Sequence, residues 1–169
     1  MVCLLRLERL VRYMTSSEAI EKYPKLQDLI EYCENSTSIK FLYLFGSVAT
    51  GKENSMSDID LAVMVDKSKI DNQIGFRLNL ISDFMRILNR IDIDLVFLDT
   101  ASLSLRYSVL EEGVLIFERD EYARKVFSFE TVRDYLDFEP LAQAHKKALW
   151  QLAKEGRIGI PGRRNLKTF

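Results

Sequence analysis

Two short apolar runs, Ile39 to Phe45 and Ile59 to Val65, flank a glycine-serine step and a polar loop, and this arrangement constrains the chain more than any other stretch. Both runs have the length and the β-branched and aromatic content of buried strands. The first stops at Gly46-Ser47. A short segment closed by Gly51 follows, then a polar loop from Lys52 to Ser57. The second run carries Asp58 at its mouth and Asp60 two residues on, and residues two apart in a strand share a face. Two carboxylates held this close repel each other unless a cation lies between them. Hard oxygens on short side chains suit Mg²⁺, which takes one or two carboxylates plus phosphate oxygens and water. Gly46 lets a phosphate approach the backbone, the Ser47 hydroxyl donates, and a helix starting there offers free N–H groups. The pattern predicts a nucleotide-handling site, with a phosphate seat and a metal seat on neighbouring strands.

A third carboxylate belongs to the same set. The run Ile91 to Leu98 alternates Ile91, Ile93, Leu95 and Phe97 against Asp92, Asp94, Val96 and Leu98. An acid inside an apolar strand is expensive unless it is paired or binds metal. Asp94 is the candidate, because Asp92 is placed at the strand's entrance in water.

Composition narrows the class. The 169 residues suffice for one domain with a sizeable core, and 47% hydrophobic with 29% charged residues is the balance of a soluble globular protein. Lys and Arg number 24 against 25 Asp and Glu, so no global positive field recruits nucleic acid. Cys3 and Cys33 lack metal-ligand spacing and are expected as reduced thiols in the cytoplasm. No apolar stretch reaches membrane-spanning length, and Arg6, Glu8, Arg9 and Arg12 interrupt the N-terminus against a signal peptide. Walker-type and Rossmann-type phosphate loops are absent, and no Ser–His–Asp or Cys–His set assembles. His145, the single histidine, is expected on a helix surface.

Gly46-Ser47, ten intervening residues, Asp58-Ile59-Asp60 and a later strand Asp94 together resemble the polymerase-β-type nucleotidyltransferase signature. The segments LRYSVLEEGVLIFERD (Leu105 to Asp120) and RDYLDFEPL (Arg133 to Leu141) resemble the minimal nucleotidyltransferase (MNT) antitoxins, which are encoded beside HEPN-domain toxins. The resemblance covers roughly Phe41 to Leu141. It implies a polymerase-β-like nucleotidyltransferase fold of the α+β (mixed α/β) class, with a small mixed sheet backed by helices and a helical C-terminal extension. It also implies an enzyme that transfers AMP from ATP to a tyrosine of a cognate HEPN toxin and so silences it. Asp58 and Asp60 would then hold Mg²⁺ against the triphosphate and Gly46 and Ser47 would clamp the phosphates. Asp94 would help bind a second metal and take the proton of the attacking hydroxyl. One departure is Thr50, where many relatives carry Arg; Lys52 is a candidate for the missing charge. Two alternatives stay open: transfer to a small molecule such as an aminoglycoside, and a non-catalytic antitoxin that inhibits by binding.

The rest of the chain frames that centre. Residues 1–15 are expected as an N-terminal extension, 16–120 as the nucleotidyltransferase domain, 121–155 as its helical extension and 156–169 as a basic flexible tail. Ser16 or Ser17 is expected to cap a helix running to about Cys33 with an interruption near Pro24. Ile70, Ile74, Leu78, Ile81, Met85 and Leu88 form a helical stripe, which places Arg77, Asp83, Arg86 and Arg90 on a solvated face. Thr100 to Glu112 is expected to be a helix closed by a glycine cap at Gly113, with Arg106 in a structural ion pair. An edge strand at Val114 to Phe117 follows. A helix through Val126, Phe129, Val132 and Leu136 is expected to break or kink at Pro140, before a last helix to about Glu155.

Overall fold

The computed structural model describes residues 15–51 and 57–155. Thr15, rather than Ser16 or Ser17, caps the first helix, α1 (Ser16–Lys22). Its hydroxyl accepts from the Glu18 N–H at 3.2 Å while the Glu18 carboxylate accepts from the Thr15 N–H at 2.7 Å, a reciprocal box. Pro24 then opens α2 (Lys25–Asn35), where its missing N–H costs nothing. Leu26, Leu29 and Cys33 form the buried face of α2, and burial pushes the Cys33 thiol up to about 12.

Strands β1 (Ile39–Phe45) and β2 (Ile59–Val65) form where the two apolar runs predict them. Between them lies one helical turn, α3 (Gly46–Ala49). After β2 come a 3-10 turn (Lys67–Lys69) and α4 (Gln73–Leu88), then the short strand β3 (Ile93–Phe97), α5 (Leu103–Glu112) and strand β4 (Val114–Glu118). The sheet order is β3-β2-β1-β4, with β3 parallel to β2 and the other pairs antiparallel. The result is the expected small mixed sheet, with β4 at one edge and β3 at the other.

Helices cover both faces of the sheet. Leu42, Leu44, Leu61 and Val63 pack with Leu26, Leu29, Leu80 and Phe84 on one face. Phe41, Tyr43 and Ala62 pack with Val109 and Phe127 on the other. The α4 stripe is the first correction. Leu88 of that stripe is buried and Ile70 and Ile81 pack against the core, but the other buried residues are Leu80 and Phe84, whereas Ile74 is 75% and Leu78 61% exposed. Both sets fit a 3.6-residue period, so periodicity alone does not choose between them. Rotating the helix also carries Arg77 off the solvated face. Its guanidinium lies 4.4 Å from the Phe97 ring centroid and 2.7 Å from Oδ2 of Asp99, which Lys67 also pairs at 3.0 Å. Asp83 likewise accepts from the Tyr32 hydroxyl at 2.7 Å.

Three further expectations change. Gly113 follows α5 in extended rather than left-handed conformation (φ −83°). It is needed for another reason, since a Cβ there would stand 2.3 Å from the Val109 carbonyl oxygen. Arg106 donates to the backbone carbonyl of Asp99 at 3.1 Å instead of pairing with a carboxylate. Finally, where a break or kink at Pro140 and a separate last helix were expected, one helix, α6 (Glu121–Lys154), continues through Pro140, although the proline cannot donate to the Leu136 carbonyl. The helix runs through Val126, Phe129, Val132 and Leu136 as expected, and its buried residues are Phe127 and Thr131.

The chain divides into two compact units at Thr131 and Val132, inside α6, and the sheet and both cores belong to the first. The second carries the exposed His145 on its helix. No helix among the described residues is long and apolar enough to cross a membrane. Lys52, residues 1–14 of the N-terminal extension and the basic tail 156–169 lie outside the described residues.

Candidate active site

The centre is built by strand register. Phe45, the last residue of β1, pairs with Asp60 of β2, and Asp60 pairs across the parallel ladder with Asp94 of β3. One row across three strands therefore reads Phe45, Asp60, Asp94, with Gly46 next along the chain from Phe45. Asp58 precedes β2 by one residue and is exposed. The register brings Asp60 and Asp94 onto adjacent strands, a spacing of about 4.8 Å between backbones.

Gly46 adopts φ +72°, in the left-handed region, and a Cβ there would meet Oδ2 of Asp60 at 2.0 Å. Both constraints demand glycine, one through backbone strain and one through space. Val48 and Ala49, buried in the core, anchor the α3 turn that follows. Thr50 locks it. Its hydroxyl donates to the carbonyls of Gly46 at 3.0 Å and Ser47 at 3.2 Å, and its N–H donates to Gly46 O at 3.2 Å. The residue that departs from the family pattern thus has a structural task here, closing the turn that carries Ser47. Sequence inspection marks Thr50 as a departure but not as a clasp.

Electrostatics follow from this packing. Burial raises the Asp60 carboxyl above its ordinary value, and the Asp94 and Asp58 carboxylates push it further in the same direction. Asp94 itself is exposed, because β3 is an edge strand; the cost of burying an acid does not apply to it. No group of three or more His, Cys, Asp or Glu side chains among the described residues is gathered as a ready cation cage. The row fits a cation that draws one or two ligands from the protein and the remainder from phosphate and water, as Mg²⁺ does.

Asp92 is not simply in water at the strand entrance. It is held in a fork by Arg90, whose Nε donates to Oδ1 at 2.9 Å and whose Nη2 reaches Oδ2. That bond holds the Asp92 carboxyl down at about 2. The same Nη2 donates to the carbonyl of Ser57 at 3.0 Å, one residue before Asp58. Arg90 is therefore a site neighbour that helical periodicity assigned to solvent. An open depression of about 490 Å³, lined by Met85, Arg86, Asn89, Arg90, Ile91 and Asp92, adjoins it.

Comparison with known proteins gives the family and the fold. The family described as polymerase beta, nucleotidyltransferase matches residues 27–122. Among solved structures, a toxin–antitoxin complex with AMP-PNP is 26% identical, covers 76% of this chain and 98% of its own, and has a TM-score of 0.60. A mutant of the toxin–antitoxin MntA-HpeT is 25% identical, covers 74% of this chain and 98% of its own, and has a TM-score of 0.62. The tri-AMPylated Shewanella oneidensis HEPN toxin in complex with MNT antitoxin is 25% identical, covers 75% and 96%, and has a TM-score of 0.57. No curated protein matches by sequence. With the family match spanning more than half of its residues and the fold shared with MNT antitoxin structures, this chain belongs to the polymerase β nucleotidyltransferase family.

Proposed function

We propose that this chain is the antitoxin of a HEPN/MNT toxin–antitoxin pair and a protein adenylyltransferase, moving AMP from ATP to a tyrosine of its toxin. The observation that carries this reading is the closeness of Gly46 to Asp60, with Asp94 opposite, which suits a phosphate seat touching a cation seat. Support for the nucleotide and the acceptor comes from relatives: one structure holds AMP-PNP and another a tri-AMPylated HEPN toxin.

In this reading the Gly46 backbone and the Ser47 hydroxyl hold the β- and γ-phosphates. Asp58 and Asp60 would hold one Mg²⁺ and Asp94 would help hold a second, and these ions when bound neutralise phosphate charge and lower the barrier to attack. Asp94, exposed on the edge strand, accepts the proton of the incoming phenol, whose ordinary pKa is about 10. The phenolic oxygen forms a bond to the α-phosphorus as the bond to the bridging oxygen breaks. Pyrophosphate leaves with that electron pair. Positioning and charge compensation supply most of the acceleration in such transfers.

The test uses purified protein, its neighbouring HEPN protein, Mg²⁺ and ATP labelled in the α-phosphate. Label on the partner with release of pyrophosphate, abolished by EDTA and by Asp94→Asn, is the expected result. Full inhibition of an unlabelled partner at equal stoichiometry assigns neutralisation to contact instead.

A further inference from the structure

The end of α4 is shaped to deliver one side chain. Asn89 adopts a left-handed conformation (φ 51°, ψ 43°), its N–H donates to the Arg86 carbonyl at 3.2 Å, and the Arg90 N–H donates to Met85 O at 3.1 Å. This is the paired-bond termination that usually takes glycine, and asparagine is the side chain that best tolerates it otherwise. The turn directs Arg90 back across the mouths of two strands. Its guanidinium bonds Asp92, two residues before Asp94, and the carbonyl of Ser57, one residue before Asp58. A backbone bond, from the Ile59 N–H to Asp92 O at 3.0 Å, joins the same two mouths.

Just inside those mouths stands Asp60, facing Asp94 across the ladder with Asp58 two residues before it, and the Asp60–Asp94 repulsion tends to spread β2 from β3. We infer that Arg90 is a positioning residue for this carboxylate row: it staples the entry of β2 to the entry of β3 and keeps the acids convergent before a cation arrives. The inference rests on reading the row as a cation seat. Arg90 makes no contact with reacting atoms in this scheme. Lysine cannot replace it, because only the planar fork serves a carboxylate and a carbonyl together. Its bond to Asp92 first, and the charge of Asp58 in addition, keep the guanidinium firmly protonated. The ion pair with Asp92 is partly exposed and contributes little stability as a pair, so its worth lies in where it holds the strands.

The sign of one measurement separates positioning from simple electrostatics. By Coulomb's law alone, removing a positive charge beside a cation seat strengthens cation binding. Positioning predicts the reverse. In the full-length protein, Mn²⁺ binding followed by water-proton relaxation should weaken about tenfold in Arg90→Gln, the scale seen when outer partners of metal ligands are removed. Arg90→Lys should recover only part of the loss. Arg86→Gln, one turn away and paired with Asp83, removes the same charge without the staple and should not weaken binding. In EDTA, Arg90→Gln should lower the melting temperature, and Asp60→Asn should raise it more in that background than in the wild type. Unchanged or tighter Mn²⁺ binding in Arg90→Gln, or additive melting shifts, overturns the role of Arg90 alone. Absence of Mn²⁺ binding in the wild type overturns the cation seat itself, and the role of Arg90 with it.

Discussion

Gly46 and Asp60 occupy the same space save for one missing atom: a Cβ on the glycine would lie 2.0 Å from the aspartate Oδ2. The end of β1 and the start of β2 are thereby pressed together, and any side chain at position 46 displaces the carboxylate. Gly46→Ala adds roughly 1–2 kcal/mol of backbone strain to this collision and should lower both melting temperature and ATP binding. Ser47→Ala should leave melting alone and weaken transfer roughly ten- to a hundred-fold, the loss of one charged hydrogen bond of about 1.5–3 kcal/mol. Titration with ATP beside a melting curve for each variant checks the pair. A Ser47→Ala protein with unaltered ATP affinity and turnover would remove the serine from the phosphate seat.

Asp60 is expected to destabilise the metal-free fold at neutral pH. Its folded pKa lies above the ordinary 3.8, through burial first and then through Asp94 and Asp58. The folded state therefore binds the proton more tightly than the unfolded chain, and stability falls as pH rises through the window just above 3.8. Asp60→Asn should raise the melting temperature by a few degrees at neutral pH in EDTA. That gain should shrink as the pH is lowered into the same window, while nucleotidyl transfer is lost at every pH. Equal gains at pH 4 and pH 7, measured by calorimetry, would contradict the assignment.

The orientation of α4 is open to a paired test. Phe84 is fully buried and Leu78 is 61% exposed. Phe84→Ala should cost about 3–5 kcal/mol, whereas Leu78→Ala should change stability by no more than about 0.5 kcal/mol. Urea titrations of the two variants decide which stripe faces the core.

At the far end of the sheet, Asp99 is 7% exposed in its side chain and is held by Arg77 and Lys67. Arg77→Ala should destabilise the protein by about 2 kcal/mol through loss of this charged bond and of the stacking on Phe97. Asp99 lies in the turn after β3, five residues on from Asp94 and beyond the other end of that strand, so ATP affinity should be unchanged. A loss of ATP affinity without a loss of stability would place the Arg77 cluster in the site.

The sequence alone determined the strands of the centre and the residues on them. The apolar runs of β1 and β2 have the bounds their composition predicts, and the chain-local rules for Gly46 and for the Asp58–Asp60 spacing need no tertiary information. The family and the mixed-sheet fold were legible for the same reason: they are written in short segments with strong local preference. Tertiary structure decided which of two equally periodic faces of α4 is buried, since Leu80 and Phe84 outcompete Ile74 and Leu78 only once the sheet supplies a surface to pack on. It likewise decided that α6 runs through Pro140, against the proline's local tendency to break a helix. The roles of Arg90 and Thr50 depend on partners distant in sequence or on a turn that exists only when folded, Ser57 lying thirty-three residues before Arg90. Side-chain periodicity reports a face, and the partner that occupies that face is fixed only by the packed chain.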